Sequence, residues 1–222
     1  MPAYQLPLQI KLSDNATFAN FLVAGNQQLV TLLRQVSEPA IYMWSPASAG
    51  KTHLLQALCR ENEASSIYLP LAEYDQYTPA ILESLEQFRL ICLDDVQSVA
   101  GNSAWEEALF DLYNRAREVD SHLVVSGTAA PAQLSIQLPD LVSRLNWGPV
   151  FQLQQLSDEQ KIQALQMRAD LRGFSVPNEV AKYLINHYPR DMRSLFAILD
   201  SLDDATLQAQ RKLTIPFVKQ YL

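Results

Sequence analysis

One stretch constrains the fold more than any other: AIYMWSPASAGKTHLL, residues 40–55. An apolar run gives way to a short polar turn, and Gly50-Lys51-Thr52 then opens a segment with Leu54, Leu55 and Leu58 on one side. That pattern is strand, loop, helix. The turn closes the phosphate-loop pattern G-x-x-x-x-G-K-[ST], in which main-chain N–H groups and a helix N-terminus hold phosphate oxygens. Its opening glycine is Ser45 here, followed by Pro46, Ala47, Ser48 and Ala49. Because the main chain does most of the cradling, only Pro46 removes a donor. The expectation is that Ser45, Pro46, Ala47, Ser48, Ala49, Gly50, Lys51 and Thr52 bind a nucleotide. Lys51 would reach the terminal phosphate and the Thr52 hydroxyl would ligate Mg²⁺.

The same alternation continues downstream. Strands are expected at Ser66–Leu69, Leu90–Leu93, His122–Val125 and Val150–Leu153, with helices at Thr52–Glu61, Ala72–Phe88 and Ser103–Val119 between them. Such alternation implies an α/β fold, a parallel sheet with helices on both faces and its ligand beyond the carboxyl ends of the strands. The run LICL ends in Asp94-Asp95. Asp94 is a candidate Walker-B acid that would hold Mg²⁺, and Asp95 a candidate to polarise an attacking water. An ordinary strand ending in a solvated acidic turn has the same letters. Ser126 ends the next strand, where it could touch water or a phosphate. Arg144 and Arg193 are the two arginines singled out, since phosphoryl transfer needs cations from outside the loop.

From residue 157 the pattern is helical. Ser157 with Gln160 reads as a capping box, Gly173 as a stop, and further helices are expected from Pro177 to His187, Arg190 to Leu202 and Ile215 to Tyr221. The expected division is a tail over 1–13, an α/β nucleotide-binding domain over 14–156 and a small all-helical lid over 157–222.

Charge and cysteines narrow the function. The net charge is −7; residues 1–156 hold 8 Lys and Arg against 16 Asp and Glu, and residues 157–222 hold 9 against 8. Neither part offers the basic stripe that nucleic-acid phosphates demand. Cys59 and Cys92 sit in apolar segments and read as reduced core residues, which fits a cytoplasmic protein. The N-terminus lacks the basic-then-apolar build of a signal peptide.

These elements in this order resemble the AAA+ P-loop ATPases, in the branch of the bacterial replication initiator DnaA. The resemblance is carried by TFANFLVAGNQQL (17–29), GKTHLL (50–55), LDDVQ (93–97), SRLNWG (143–148) and MRSLFAIL (192–199). It implies that Arg144 is an arginine finger presented to a neighbouring subunit's nucleotide, that Arg193 is the lid's sensor-2 arginine, and that Ser126 is the sensor-1 residue. The DNA-reading domain that follows the lid in DnaA has no counterpart here, so the resemblance narrows to the Hda family of DnaA-homologous regulators. That family binds the DNA polymerase sliding clamp, its beta subunit, and stimulates hydrolysis of DnaA-bound ATP to prevent re-initiation. Within that frame Gln5, Leu6, Leu8 and Ile10 resemble a clamp-binding peptide, although Leu6, Leu8, Ile10 and Leu12 also alternate as an edge strand would. The family further implies a bound nucleoside diphosphate, ADP, with Mg²⁺, and weak turnover of the chain's own. It also suggests a homodimer through the Arg144 face. An autonomous AAA+ ATPase of the helicase-loader type is the alternative.

Overall fold

The computed structural model describes residues 16–46, 48–209 and 211–222. Strands β1 (Ala40–Trp44), β2 (Ser66–Pro70), β3 (Leu90–Asp94), β4 (His122–Gly127) and β5 (Val150–Gln152) form one sheet in the order β2-β3-β4-β1-β5. Every neighbouring pair runs parallel. The inner strands are apolar on both sides because both sides are covered. Ala40, Tyr42, Ile91, Leu93, Leu123 and Val125 face one core, shared with α3 (Ser103–Glu118) and α4 (Pro139–Leu145). The alternate residues Ile41, Met43, Leu90, Cys92 and Val124 face the other, shared with α1 (Gln27–Gln35) and α2 (Lys51–Glu61).

One expectation needs correction, and two helices were not foreseen. The helix expected over Ala72–Phe88 is instead a series of 3-10 turns at Leu71–Gln76, Pro79–Leu82 and Leu85–Gln87. Pro79 lacks an N–H, and Thr78 before it is extended at φ −104° and ψ 160°, so no α-helix can run through the segment. Leu71, Leu82 and Leu85 still cover the sheet. Helix α1 was not anticipated, although Leu29, Val30 and Leu33 supply a buried stripe at helical spacing. Nor was α4, whose start coincides with Pro139.

The helices α5 (Asp158–Leu171), α6 (Asn178–His187), α7 (Met192–Ala209) and α8 (Ile215–Tyr221) build a separate core around Leu165, Leu184, Leu195, Leu199 and Val218. Ser157 caps α5 as expected: the Gln160 N–H donates to its Oγ at 3.3 Å, and its own N–H donates to Gln160 Oε1 at 2.9 Å. Helix α7 outruns its expected end because Ala205 continues the buried stripe of Leu195, Leu199 and Leu202. Packing of α5 against the turn Phe18–Asn20 seats the helical unit on the α/β part.

Candidate functional site

Beyond the carboxyl edge of the sheet, β1 leads into Ser45, β3 ends in Asp94 and β4 in Gly127; Trp44 and Gly127 are register partners. Helix α2 leaves β1 over one face and α3 leaves β3 over the other, so the connecting loops diverge and open a crevice. A cavity of about 670 Å³ lies there, within the roughly 300–1,000 Å³ of small-molecule sites. Its walls include Gly50, Lys51, Thr52 and His53 of the loop and α2, Asp95, Gln97 and Thr128 near the strand ends, and Arg168, Arg193 and Phe196 of the helical unit.

The loop explains its own letters. Gly50 has φ 96°, and a Cβ there would come within 2.9 Å of the Phe21 ring, so glycine is required both by backbone and by space. Ser48 takes φ 65° without being glycine, a conformation that costs about 1–3 kcal/mol elsewhere in proteins. Ser45 is fully buried, and its carbonyl accepts a bond from Lys51 Nζ at 3.1 Å. Ala49 joins the cavity wall, whereas Ser45 and Pro46 do not. Ala47 lies outside the described residues, as do Gln5, Leu6, Leu8 and Ile10.

The two acids have opposite surroundings. Asp94 is buried at 2 % exposure; it accepts a short bond from Ser126 Oγ and another from the Tyr68 hydroxyl at 2.9 Å. Burial pushes its carboxyl above the usual carboxylate range, partly countered by the Ser126 bond. Burial and the neighbouring Asp94 push the Tyr68 hydroxyl up, which keeps it a donor. Asp95 faces the cavity in a left-handed conformation, φ 60°. Its N–H donates to Ser126 Oγ at 3.0 Å, so Ser126 is fully buried and holds both acids rather than lining the cavity. Gln97 Nε2 donates to Asp95 Oδ1 at 3.0 Å, and its Oε1 is buried without a partner.

The two arginines separate. Arg193, on α7, is on the cavity wall. Arg144, on α4, is not: its Nε donates to Asn114 Oδ1 at 3.1 Å, and its guanidinium lies 5.4 Å from the Phe110 ring and 5.6 Å from the Trp147 ring. Trp147 is 40 % exposed and also carries Arg117, 4.4 Å from its ring. Helix α4 is positioned by a buried carboxylate. Glu106 of α3, 1 % exposed, accepts from the N–H groups of Gly101 at 2.6 Å, Gln137 at 2.9 Å and Leu138 at 2.8 Å. Past the far end of α4, a Cβ on Gly148 would overlap the Ala40 carbonyl oxygen.

Sequence reasoning passed over several residues at or behind the cavity. Asn26 accepts from the Gln154 N–H at 2.8 Å and donates to the Gln154 carbonyl at 3.3 Å, tying the start of α1 to the segment after β5. His53 donates Nε2–H to the Thr17 carbonyl at 2.8 Å; burial, with Arg168 nearby, pulls its pKa below 6.5. None of these was singled out, although Asn26, His53 and Gln97 fall within the stretches 17–29, 50–55 and 93–97 that carry the resemblance; for Glu106 the signal lies only in tertiary contacts.

The donor set suits a nucleotide. The start of α2, Lys51, Thr52 and Arg193 all line the cavity, so main-chain N–H groups, a lysine and an arginine can meet phosphate oxygens there. Among the described residues no three His, Cys, Asp or Glu side chains gather as a metal site; Thr52 and Asp94 would hold Mg²⁺ only together with phosphate oxygens. Also among these residues, no helix is long and apolar enough to cross a membrane.

Comparison with known proteins agrees with this geometry. Residues 12–152 match the bacterial DnaA ATPase domain, and residues 158–222 match the lid domain of Hda. An uncharacterized protein of Haemophilus influenzae is 49 % identical over 226 aligned positions, which cover 98 % of each chain. Domain III of the replication initiation protein DnaA from Thermotoga maritima has a similar fold, with a TM-score of 0.79 at 20 % identity, covering 96 % of this chain and 97 % of that one. AMPPCP-bound DnaA from Aquifex aeolicus matches with a TM-score of 0.74 at 20 % identity, over 88 % of this chain and 67 % of that one.

Proposed function

Because the chain belongs to the DnaA-like AAA+ family and carries an Hda-type lid, we propose that it regulates DnaA by offering Arg144 to ATP held by that partner. The observation that carries this reading is the separation of the two arginines. Arg193 faces the chain's own cavity, while Arg144 stands off it on α4, braced by Asn114, Phe110 and Trp147. A guanidinium so placed cannot serve its own nucleotide and suits one presented by a neighbour.

The division of labour follows. The start of α2, Lys51, Thr52 and Arg193 hold a nucleoside diphosphate, ADP, with Mg²⁺ at Thr52 and Asp94; the nucleotide's phosphates join the loop to the lid. Arg144 neutralises charge on the phosphoryl group that leaves the partner's ATP, an effect of roughly 10³–10⁵ in rate for a finger supplied in trans. Residues Gln5, Leu6, Leu8 and Ile10 tether the chain to the polymerase sliding clamp, which brings Arg144 to DnaA at replicating DNA. Self-association through the Arg144 face would hide the finger.

Reconstitution with DnaA and DNA-loaded clamp tests the reading. Arg144→Ala should keep clamp binding and lose stimulation of DnaA-bound ATP hydrolysis; unchanged stimulation would overturn the assignment. Removing Gln5 and Leu6 should collapse clamp affinity. A second reading, an autonomous ATPase, is favoured by one observation: Asp95 faces the cavity. Strong turnover by the chain alone, abolished in Asp95→Asn, would select it.

A further inference from the structure

We propose that Trp147 is a positioning residue for Arg144 and that Arg117 acts through it, the stacked pair setting the plane in which the Arg144 guanidinium is presented. The inference rests on the reading of Arg144 given above. Phe110, Asn114 and Arg117 recur at helical spacing and so share one side of α3. Asn114 accepts the Arg144 Nε–H at 3.1 Å, and the Phe110 ring centroid lies 5.4 Å from the guanidinium carbon. Both of these contacts come from α3. A single hydrogen bond at Nε still lets the guanidinium plane turn about that bond. The Trp147 ring, 5.6 Å from the same carbon, meets it from the turn after α4.

The indole has its own supports. The Trp147 main-chain N–H donates to the Arg144 carbonyl at 3.1 Å, and Gly148 next to it runs so close to the Ala40 carbonyl that no Cβ would fit. The backbone beneath the ring is therefore anchored. The ring itself is 40 % exposed, so burial alone does not select its rotamer. Arg117, in the last turn of α3, supplies the missing contact: its guanidinium carbon is 4.4 Å from the ring centroid, a distance at which a planar cation stacks on indole. Among the described residues no carboxylate pairs with Arg117 or Arg144. The ring contact is thus not a by-product of an ion pair. A finger works only where its charge meets the transferring phosphoryl group, and a displacement of about 1 Å can cost as much as 100-fold in rate. Braced by the stack, Arg144 reaches the partner's ATP with its plane already set and loses less side-chain freedom on docking.

The test is hydrolysis of DnaA-bound ATP with DNA-loaded clamp, titrated with the full chain so that maximal rate and half-saturating concentration are read separately. Trp147→Ala should lower the maximal rate about tenfold and leave the half-saturating concentration within about threefold of wild type. Trp147→Phe, which keeps an aromatic face, should recover most of that rate. Arg117→Ala should lower the maximal rate about threefold on its own and change nothing further in the Trp147→Ala background, because it acts through the ring. Neither residue lines the cavity, so the Kd for adenosine diphosphate should match wild type in each variant. A full maximal rate in Trp147→Ala would overturn the inference. So would a loss confined to half-saturation, which marks a docking contact, or a rise in Kd, which marks damage to the fold. Additive losses in the double variant would remove Arg117 from the brace. If Arg144→Ala, measured alongside, keeps full stimulation, the finger reading itself falls and takes this inference with it, an outcome distinct from the others.

Discussion

His53 and the acid pair show how neighbours in sequence acquire different chemistry. Asp94 is buried, bonded to Ser126 and Tyr68 and touching Thr52 of the cavity wall, and Asp95 one residue later faces the cavity itself. His53 follows two residues that face the same cavity, but its Nε2–H is committed to Thr17 and its ring leans on Phe21, with centroids 5.6 Å apart. Its pKa is lowered by burial first, and by Arg168 as well. The folded state therefore binds a proton less readily than the unfolded chain. Stability is unaffected by His53 above pH 6.5 and falls as the pH drops below it, by at most about 1.4 kcal/mol per pH unit. Thermal unfolding of wild type and His53→Gln between pH 7.5 and 5 should show a shallower decline in the variant; parallel curves would remove His53 from the account.

Helix α4 is seven residues long and has no side-chain cap of its own. Such a short helix is held by its surroundings rather than by propensity. Glu106 fixes the approach to it by accepting from the N–H groups of Gln137 and Leu138 just before its start, and Gly148 beyond its end lets the chain approach Ala40 closely enough to continue into β5. In Glu106→Gln an amide would turn a donor toward N–H groups that now meet a carboxylate oxygen. We expect a loss of about 1–3 kcal/mol, read as a fall of several degrees in Tm. Stimulation of the partner's ATP hydrolysis should fall with it while nucleoside diphosphate Kd stays unchanged, because α4 carries Arg144 and the cavity does not depend on α4. A Kd that rises in parallel would show that the damage is not confined to α4.

At the scale of the whole molecule, the cavity lies between two separately cored units, so a ligand in it adds contacts to both. Nucleoside diphosphate at 100 times its Kd should stabilise the fold by about 2.7 kcal/mol, which for a chain of this size raises Tm by roughly 5–10 °C. Lys51→Ala should abolish that shift; a shift that survives would place the ligand elsewhere. Much of the architecture was legible beforehand because it is written in local periodicity. Five apolar runs alternating with amphipathic segments bury their backbones as a covered parallel sheet, and Gly50-Lys51-Thr52 marks a turn whose geometry needs glycine. Pro79 should have broken the expected 72–88 helix on the same local grounds. Tertiary structure alone decided the rest: Ser126 faces inward to two acids, Glu106 holds a helix that it precedes by more than thirty residues, and Arg144 and Arg193 part to different surfaces. Local sequence sets backbone periodicity and turn chemistry. A side chain's partner is set by where distant segments pack, which periodicity does not encode.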